Sequence, residues 1–166
     1  LWCEALVAYW SFLNPKLVLI EEDMAALHPG KVEVLDEEGW FEFLLEGYFR
    51  WKYTAPNRYA TTTRSLTRQV EEIGLGGLLE IRDDILERGA CDARGGMEAA
   101  GKIGGLGPAG ASGLLSLLFP ERFGTVDQFV VKFLLMVDGL PEAEAVGAMK
   151  PEGLTLKDSL VLLEIM

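Results

Sequence analysis

The sequence predicts an all-α fold, and three observations carry that expectation. Apolar residues recur at helical spacing along nearly the whole chain, strict alternation is confined to short pieces such as Lys31 to Leu35, and proline or glycine punctuation divides the chain into about ten short helices. With 49% of its 166 residues hydrophobic, the chain can fill the core of a single helical domain over residues 1–166, built as one body or as two lobes sharing a cleft.

A first helix is expected over Leu1 to Leu13, ending at Asn14-Pro15, where proline cannot continue the hydrogen-bond ladder. A second covers about Lys16 to Leu27 and stops before Pro29-Gly30. Asp36 suits the cap of a third, reaching about Tyr53, in which Trp40, Leu44, Tyr48 and Trp51 share a face flanked by Phe41, Leu45 and Phe49. Pro56-Asn57 separates it from a helix over about Arg58 to Ile73, closed by Gly74, where Thr61, Arg64 and Arg68 fall on one face at i, i+3 and i+7. The next helix covers Leu75 to Arg88, with Gly89 as its stop. Asp92 to Lys102, Pro108 to Leu118, Val126 to Val137, Pro141 to Met149 and Leu154 to Met166 complete the set, with no internal repeat or low-complexity stretch.

Two cysteines, Cys3 and Cys91, and one histidine, His28, are too few for a disulfide framework or an ordinary Cys/His metal site, so no metal is expected and the context reads as reducing and cytoplasmic. No apolar run approaches the roughly 20 residues of a membrane span. Leu1 to Leu13 carries Glu4 and lacks the cationic start of a signal peptide, so neither membrane nor export is expected. The sequence starts at Leu1 and stops inside an apolar stretch at Met166, which reads as trimming at both ends.

Net charge is -11, which argues against a general polyanion binder, because phosphate contacts come from Lys and Arg. The average hides an asymmetry. From Gly47 to Val70 there is no acidic residue, while Arg50, Lys52, Arg58, Arg64 and Arg68 give the window +5 and leave -16 elsewhere. That split fits an acidic body with one anion-facing strip. The alternative is that these arginines pair with nearby glutamates.

The glycines concentrate between Gly95 and Gly113. In Lys102-Ile103-Gly104-Gly105-Leu106-Gly107-Pro108-Ala109-Gly110-Ala111, Gly105 and Gly107 permit positive φ and a tight reversal, with Leu106 turned back to the core. Pro108 suits a first helical turn. The free amides around Gly105 to Ala109 then make a positive nest at a helix N-terminus, suited to a phosphate oxygen; a plain helical turn with small packing residues would look the same locally.

The pattern Ile103-Gly104-Gly105-Leu106-Gly107, three residues and Ala111 resembles the hairpin of the helix-hairpin-helix DNA glycosylases, the superfamily of endonuclease III, the adenine glycosylases and the 8-oxoguanine glycosylases. Members follow the hairpin with a hydrophobic-Val-Asp motif carrying the essential aspartate. This chain has Phe119-Pro120-Glu121-Arg122-Phe123-Gly124-Thr125-Val126-Asp127 at a similar separation, so the resemblance runs from Cys91 to Val137. The helix-hairpin-helix would occupy about residues 92–118 and the aspartate-headed helix about 125–137.

The resemblance implies DNA as partner and Asp127 as the catalytic carboxylate, stabilising the positive charge that forms on the sugar when the base leaves. Against that stands a capping reading, since Thr125-Val126-Asp127-Gln128 is itself a capping-box sequence. Gly105, Gly107 and Ala109 would grip the DNA backbone, with Lys52, Arg58, Arg64 and Arg68 as further phosphate contacts. Trp51 and Tyr53, from an aromatic group that includes Tyr48 and Tyr59, would wall the base pocket; core packing is the alternative for all of them.

Three departures from the family pattern bear on the expected activity. Lyase-competent members carry a lysine two positions after the last hairpin glycine, where its amine forms a Schiff base; here that position is Ala109. The four-cysteine iron-sulfur motif of some members is not in this sequence, and no cofactor is implied. After Asp127 stands Gln128-Phe129 where many members have Thr-His. The expectation leans towards an enzyme, a monofunctional N-glycosylase acting on a damaged or mispaired nucleotide. A noncatalytic helix-hairpin-helix module binding DNA or protein, and an acidic interaction protein that has lost DNA binding, stand beside it.

Overall fold

The computed structural model describes Ala8 and residues 17–166, and all secondary structure among these residues is helical, with no strand. The fold is all-α, as the apolar spacing predicts. Apart from Ala8, the helix expected over Leu1 to Leu13 lies outside the described residues.

Helix α1 spans Val18–Ala25 and α2 spans Pro29–Glu33. The alternating piece Lys31 to Leu35 lies in α2 and the turn that ends it: Val32 is buried, Val34 is exposed, and Pro29 occupies a first turn where its missing N–H costs nothing. Arg82, itself buried, fastens this turn by donating to the carbonyl oxygens of Val32 and Leu35.

Asp36 heads α3 (Glu37–Glu42), its carboxylate accepting from Gly39 N at 2.9 Å. The helix widens into a π-helical segment, Phe43–Tyr48, and returns to α geometry in α4, Phe49–Lys52. A π turn holds an extra residue, so the buried stripe moves on by one position. Trp40, Leu44, Tyr48 and Phe49 are fully buried, whereas Trp51, expected on that face, is half-buried and donates from Nε1 to Glu21 at 2.7 Å.

Helix α5 runs Pro56–Cys91 and is interrupted at Gly74, where φ of 73° and ψ of 170° separate the two helical stretches the sequence marks off. Gly89 is not a stop. It is buried inside the helix, and a Cβ there would lie 2.7 Å from the Phe119 ring. A Cβ on Gly96 would lie 3.0 Å from Gly89 Cα, so the two glycines let α5 and α6 (Ala93–Ala100) cross almost backbone to backbone. Asp92 caps α6 through Gly95 N at 2.7 Å.

Helix α7, Pro108–Leu118, contributes Leu114, Leu115 and Leu118 to the main core, where they meet Leu66, Leu78 and Ile85 of α5 and the Trp40 to Phe49 stripe. A second cluster, Val126, Val131, Val146, Met149 and Leu162, gathers α8 (Gln128–Leu134), α9 (Ala143–Gly147) and α10 (Leu156–Ile165). These last helices are shorter than the apolar spacing suggests, and α10 opens with a capping box between Thr155 and Asp158.

Candidate functional site

Between α6 and α7 the chain reverses in a tight hairpin. Gly105 takes φ of 91°, and a Cβ there would lie 2.8 Å from both the Thr62 carbonyl oxygen and its Cγ2. A Cβ on Gly104 would lie 2.7 Å from the Ser65 carbonyl oxygen. The hairpin therefore rests directly on the backbone of α5. Gln69 clamps it: its side-chain nitrogen donates to Lys102 O at 2.7 Å and its side-chain oxygen accepts from Gly104 N at 2.6 Å. Leu106 is buried, as the sequence suggests.

Gly107 departs from expectation. Its φ is -84° with extended ψ, it is the N-cap of α7, and a Cβ on it would meet nothing within 4 Å. One positive-φ glycine suffices for this reversal. The amides of Gly105, Gly107 and Ala109 donate no hydrogen bond to the described residues, the first two lying in the loop and the third in the opening turn of α7.

Asp127 is held in place from α7. Buried Ser112 accepts from Val126 N at 3.0 Å, and Ser116 Oγ lies 3.1 Å from Thr125 Oγ1. Thr125 is thus engaged with α7 and opens no capping box, while Asp127 is itself the cap of α8, as the capping reading of that residue expects. Asp127 Oδ1 accepts from Phe129 N at 2.8 Å and from Val130 N at 3.1 Å. Its second oxygen, Oδ2, accepts from no group among the described residues. One oxygen completes the helix end and the other is left over.

Hairpin and aspartate meet at a cavity of about 630 Å³, a size within the usual range of small-molecule sites. Gly105, Gly107, Pro108, Ala109 and Gly110 line it together with Asp127 and Gln128. Tyr53, Arg58 and Thr62 and the loop Pro151 to Leu154 complete its lining. Of the residues singled out from sequence, Asp127, Gly105, Gly107, Ala109, Arg58 and Tyr53 come together here.

Trp51, Lys52, Arg64 and Arg68 do not line this cavity. Arg68 pairs with Glu72 at 2.9 Å and Arg50 with Glu46 at 2.5 Å, so part of the basic strip is neutralised one helical turn away. Arg58 and Arg64 make no ion pair among the described residues. Thr62, Gln128, the Gln69 clamp and the Pro151 to Leu154 loop carry no local signature that sequence reasoning could have used.

Tyr48 and Lys52 brace the site from behind. Tyr48 donates to Gly110 O at 2.5 Å, and its burial pushes its phenol well above the usual value. Lys52 packs against Gly113, where a Cβ would lie 2.8 Å from its ammonium nitrogen. The ammonium has no hydrogen-bond or ion-pair partner among the described residues. Burial lowers its pKa, opposed by the charge of Asp127.

A folded-state pKa below the unfolded value means the unfolded chain binds more protons in the window between them, so stability rises with pH there. Lys52→Met is therefore expected to raise the melting temperature at pH 7. The gap should narrow as pH climbs from the lowered Lys52 pKa to the ordinary lysine value, near 10.4. Thermal unfolding followed at several pH values checks this; a variant less stable at pH 7 would contradict it.

Compared with known proteins, the chain matches no family model, no curated protein and no solved structure. Among the described residues no group of three His, Cys, Asp or Glu side chains is placed to hold a metal ion, and no described helix is long and apolar enough to cross a membrane. The site presents several polar and aromatic groups of its own. They are three free amides and a guanidinium for an anion, a phenol ring for a planar ligand, and a carboxylate oxygen for developing positive charge.

Proposed function

We propose that the chain is a monofunctional DNA N-glycosylase that hydrolyses the bond between base and sugar in a damaged or mispaired nucleotide. One observation carries the reading: the hairpin residues Gly105, Gly107 and Ala109, whose amides donate no hydrogen bond to the described residues, line the same cavity as Asp127. A phosphate on Gly105, Gly107 and Ala109, with Arg58 beside it, would bring the sugar of an extruded nucleotide towards Asp127, and the base towards Tyr53. As the glycosidic bond breaks, the ionised carboxylate stabilises the cationic sugar. Water then adds to C1′, and the leaving base takes up a proton. Ala109 offers no amine at the hairpin, so the strand stays intact.

The test is incubation with a panel of lesion-bearing and mismatched duplexes, with detection of abasic sites. Product from at least one lesion, with no strand scission before alkali, supports the proposal; no product from any lesion at any salt concentration refutes it.

A second reading, a noncatalytic module or acidic interaction protein, is favoured by the charge balance of -11 and by the glutamates that neutralise Arg50 and Arg68. DNA affinity separates the two. Arg58→Ala and Arg64→Ala are each expected to weaken DNA binding across all sequences and to reduce the salt slope by about one. An unaltered slope would take that arginine out of the interface, and negligible binding even at low salt would favour the interaction protein.

A further inference from the structure

The strongest surface feature outside the cavity begins at its lip. Residues 128–137 contain no acidic side chain in a protein of net charge -11. Among the described residues, five of the nine large apolar side chains that are exposed fall within this stretch: Phe129, Phe133, Leu135, Met136 and Val137. Phe129 is 69% and Phe133 63% exposed, one helical turn apart on α8, so two phenyl rings stand in solvent about 6 Å apart along the axis. Lys132 sets its ammonium 5.7 Å from the Phe129 ring centroid and donates to Gln128 Oε1 at 2.8 Å. Gln128 lines the cavity. The ledge is therefore continuous with the site.

We propose that this ledge is a stacking platform for unpaired bases of the DNA strand whose neighbouring nucleotide enters the cavity; the inference rests on the nucleic-acid reading of that cavity. Exposed aromatic faces accept any base, and the cation beside Phe129 suits the adjoining phosphate. Between Asp127 and Asp138 the stretch itself carries no carboxylate to repel a polyanion, and Lys132 is its one charged side chain. A protein partner would use the apolar area alone and have no need of continuity with the amides and Arg58 of the cavity.

The probe is a fluorescein-labelled oligothymidylate of about a dozen nucleotides, titrated by anisotropy at low salt. Replacing Phe129→Ala and Phe133→Ala together should weaken binding roughly tenfold or more. Phe129→Trp, which keeps a stacking face, should retain the parent affinity. Both side chains are exposed, and circular dichroism verifies the fold of each variant. Parent-like affinity in the double alanine variant, or no binding of the oligonucleotide by the parent, overturns the proposal. So does a dimer in sedimentation velocity that dissociates on the double substitution while DNA affinity stays unchanged, since the ledge would then join two copies of this chain. Abasic product with an inert ledge leaves the enzyme reading standing; ledge-dependent binding without product leaves the platform and removes the enzyme.

Discussion

Gly105→Ala is expected to lower the free energy of unfolding by about 3 kcal/mol, whereas Gly107→Ala two residues on should change it by no more than about 0.5 kcal/mol. The contrast comes from the hairpin's geometry. At Gly105 a side chain would have to adopt φ of 91° and press its Cβ to 2.8 Å from the Thr62 carbonyl oxygen, a backbone atom of α5 that cannot swing aside. At Gly107 the backbone is in an ordinary region and the space is open. Denaturant titration of the two variants checks this. Equal costs would mean that the reversal does not rest on Thr62.

On the proposed glycosylase function, Asp127→Asn is expected to slow base release by about 10²- to 10⁴-fold while leaving the melting temperature nearly unchanged. Asparagine caps a helix about as well as aspartate, so Phe129 N and Val130 N keep an acceptor while the charge on the second oxygen is lost. Asp127→Ala removes both roles and should also cost about 1 kcal/mol of stability. The pair separates the two readings of this residue. If Asp127 were only a cap, the asparagine variant would behave like the parent in abasic-site assays and in unfolding alike.

Much of the architecture is legible in the sequence because its signals are local. Proline at Pro56 and Pro108, the aspartates at Asp36 and Asp92, and glycine at Gly74 each mark a boundary through the conformation of one or two residues. Where a feature depends on a distant neighbour, the sequence misleads. Gly89 looks like a helix stop, but it lies inside the helix, where its missing side chain lets Gly96 and Phe119 approach. Trp51 looks like part of the buried stripe, but the π turn at Phe43–Tyr48 advances the register so that Phe49 takes the interior place. Thr125 looks like the head of a capping box, but Ser116 engages its hydroxyl, and Asp127 alone serves as the cap.

The candidate site divides along the same line. Gly105, Ala109 and Asp127 could be named from a hairpin and an aspartate at a suggestive separation, because both lie in one stretch of chain. Tyr53 and Arg58 could be named from the basic, aromatic strip, but Thr62 and the Pro151 to Leu154 loop carry no such signal, and only folding brings all of these to the hairpin. Arg68 carries the same charge as Arg58, yet Glu72 one turn later pairs with it. Composition over a window cannot distinguish those two arginines.

That a single cavity receives both the phosphate and the sugar of one nucleotide is tested most directly by backbone amide NMR of the protein titrated with a short duplex carrying a tetrahydrofuran abasic analogue, which has no base to release. The amides of Gly105, Gly107 and Ala109 should shift together with that of Gln128 beside Asp127, all saturating at the same DNA concentration. Shifts confined to other surfaces, or hairpin shifts with Gln128 unmoved, would contradict it.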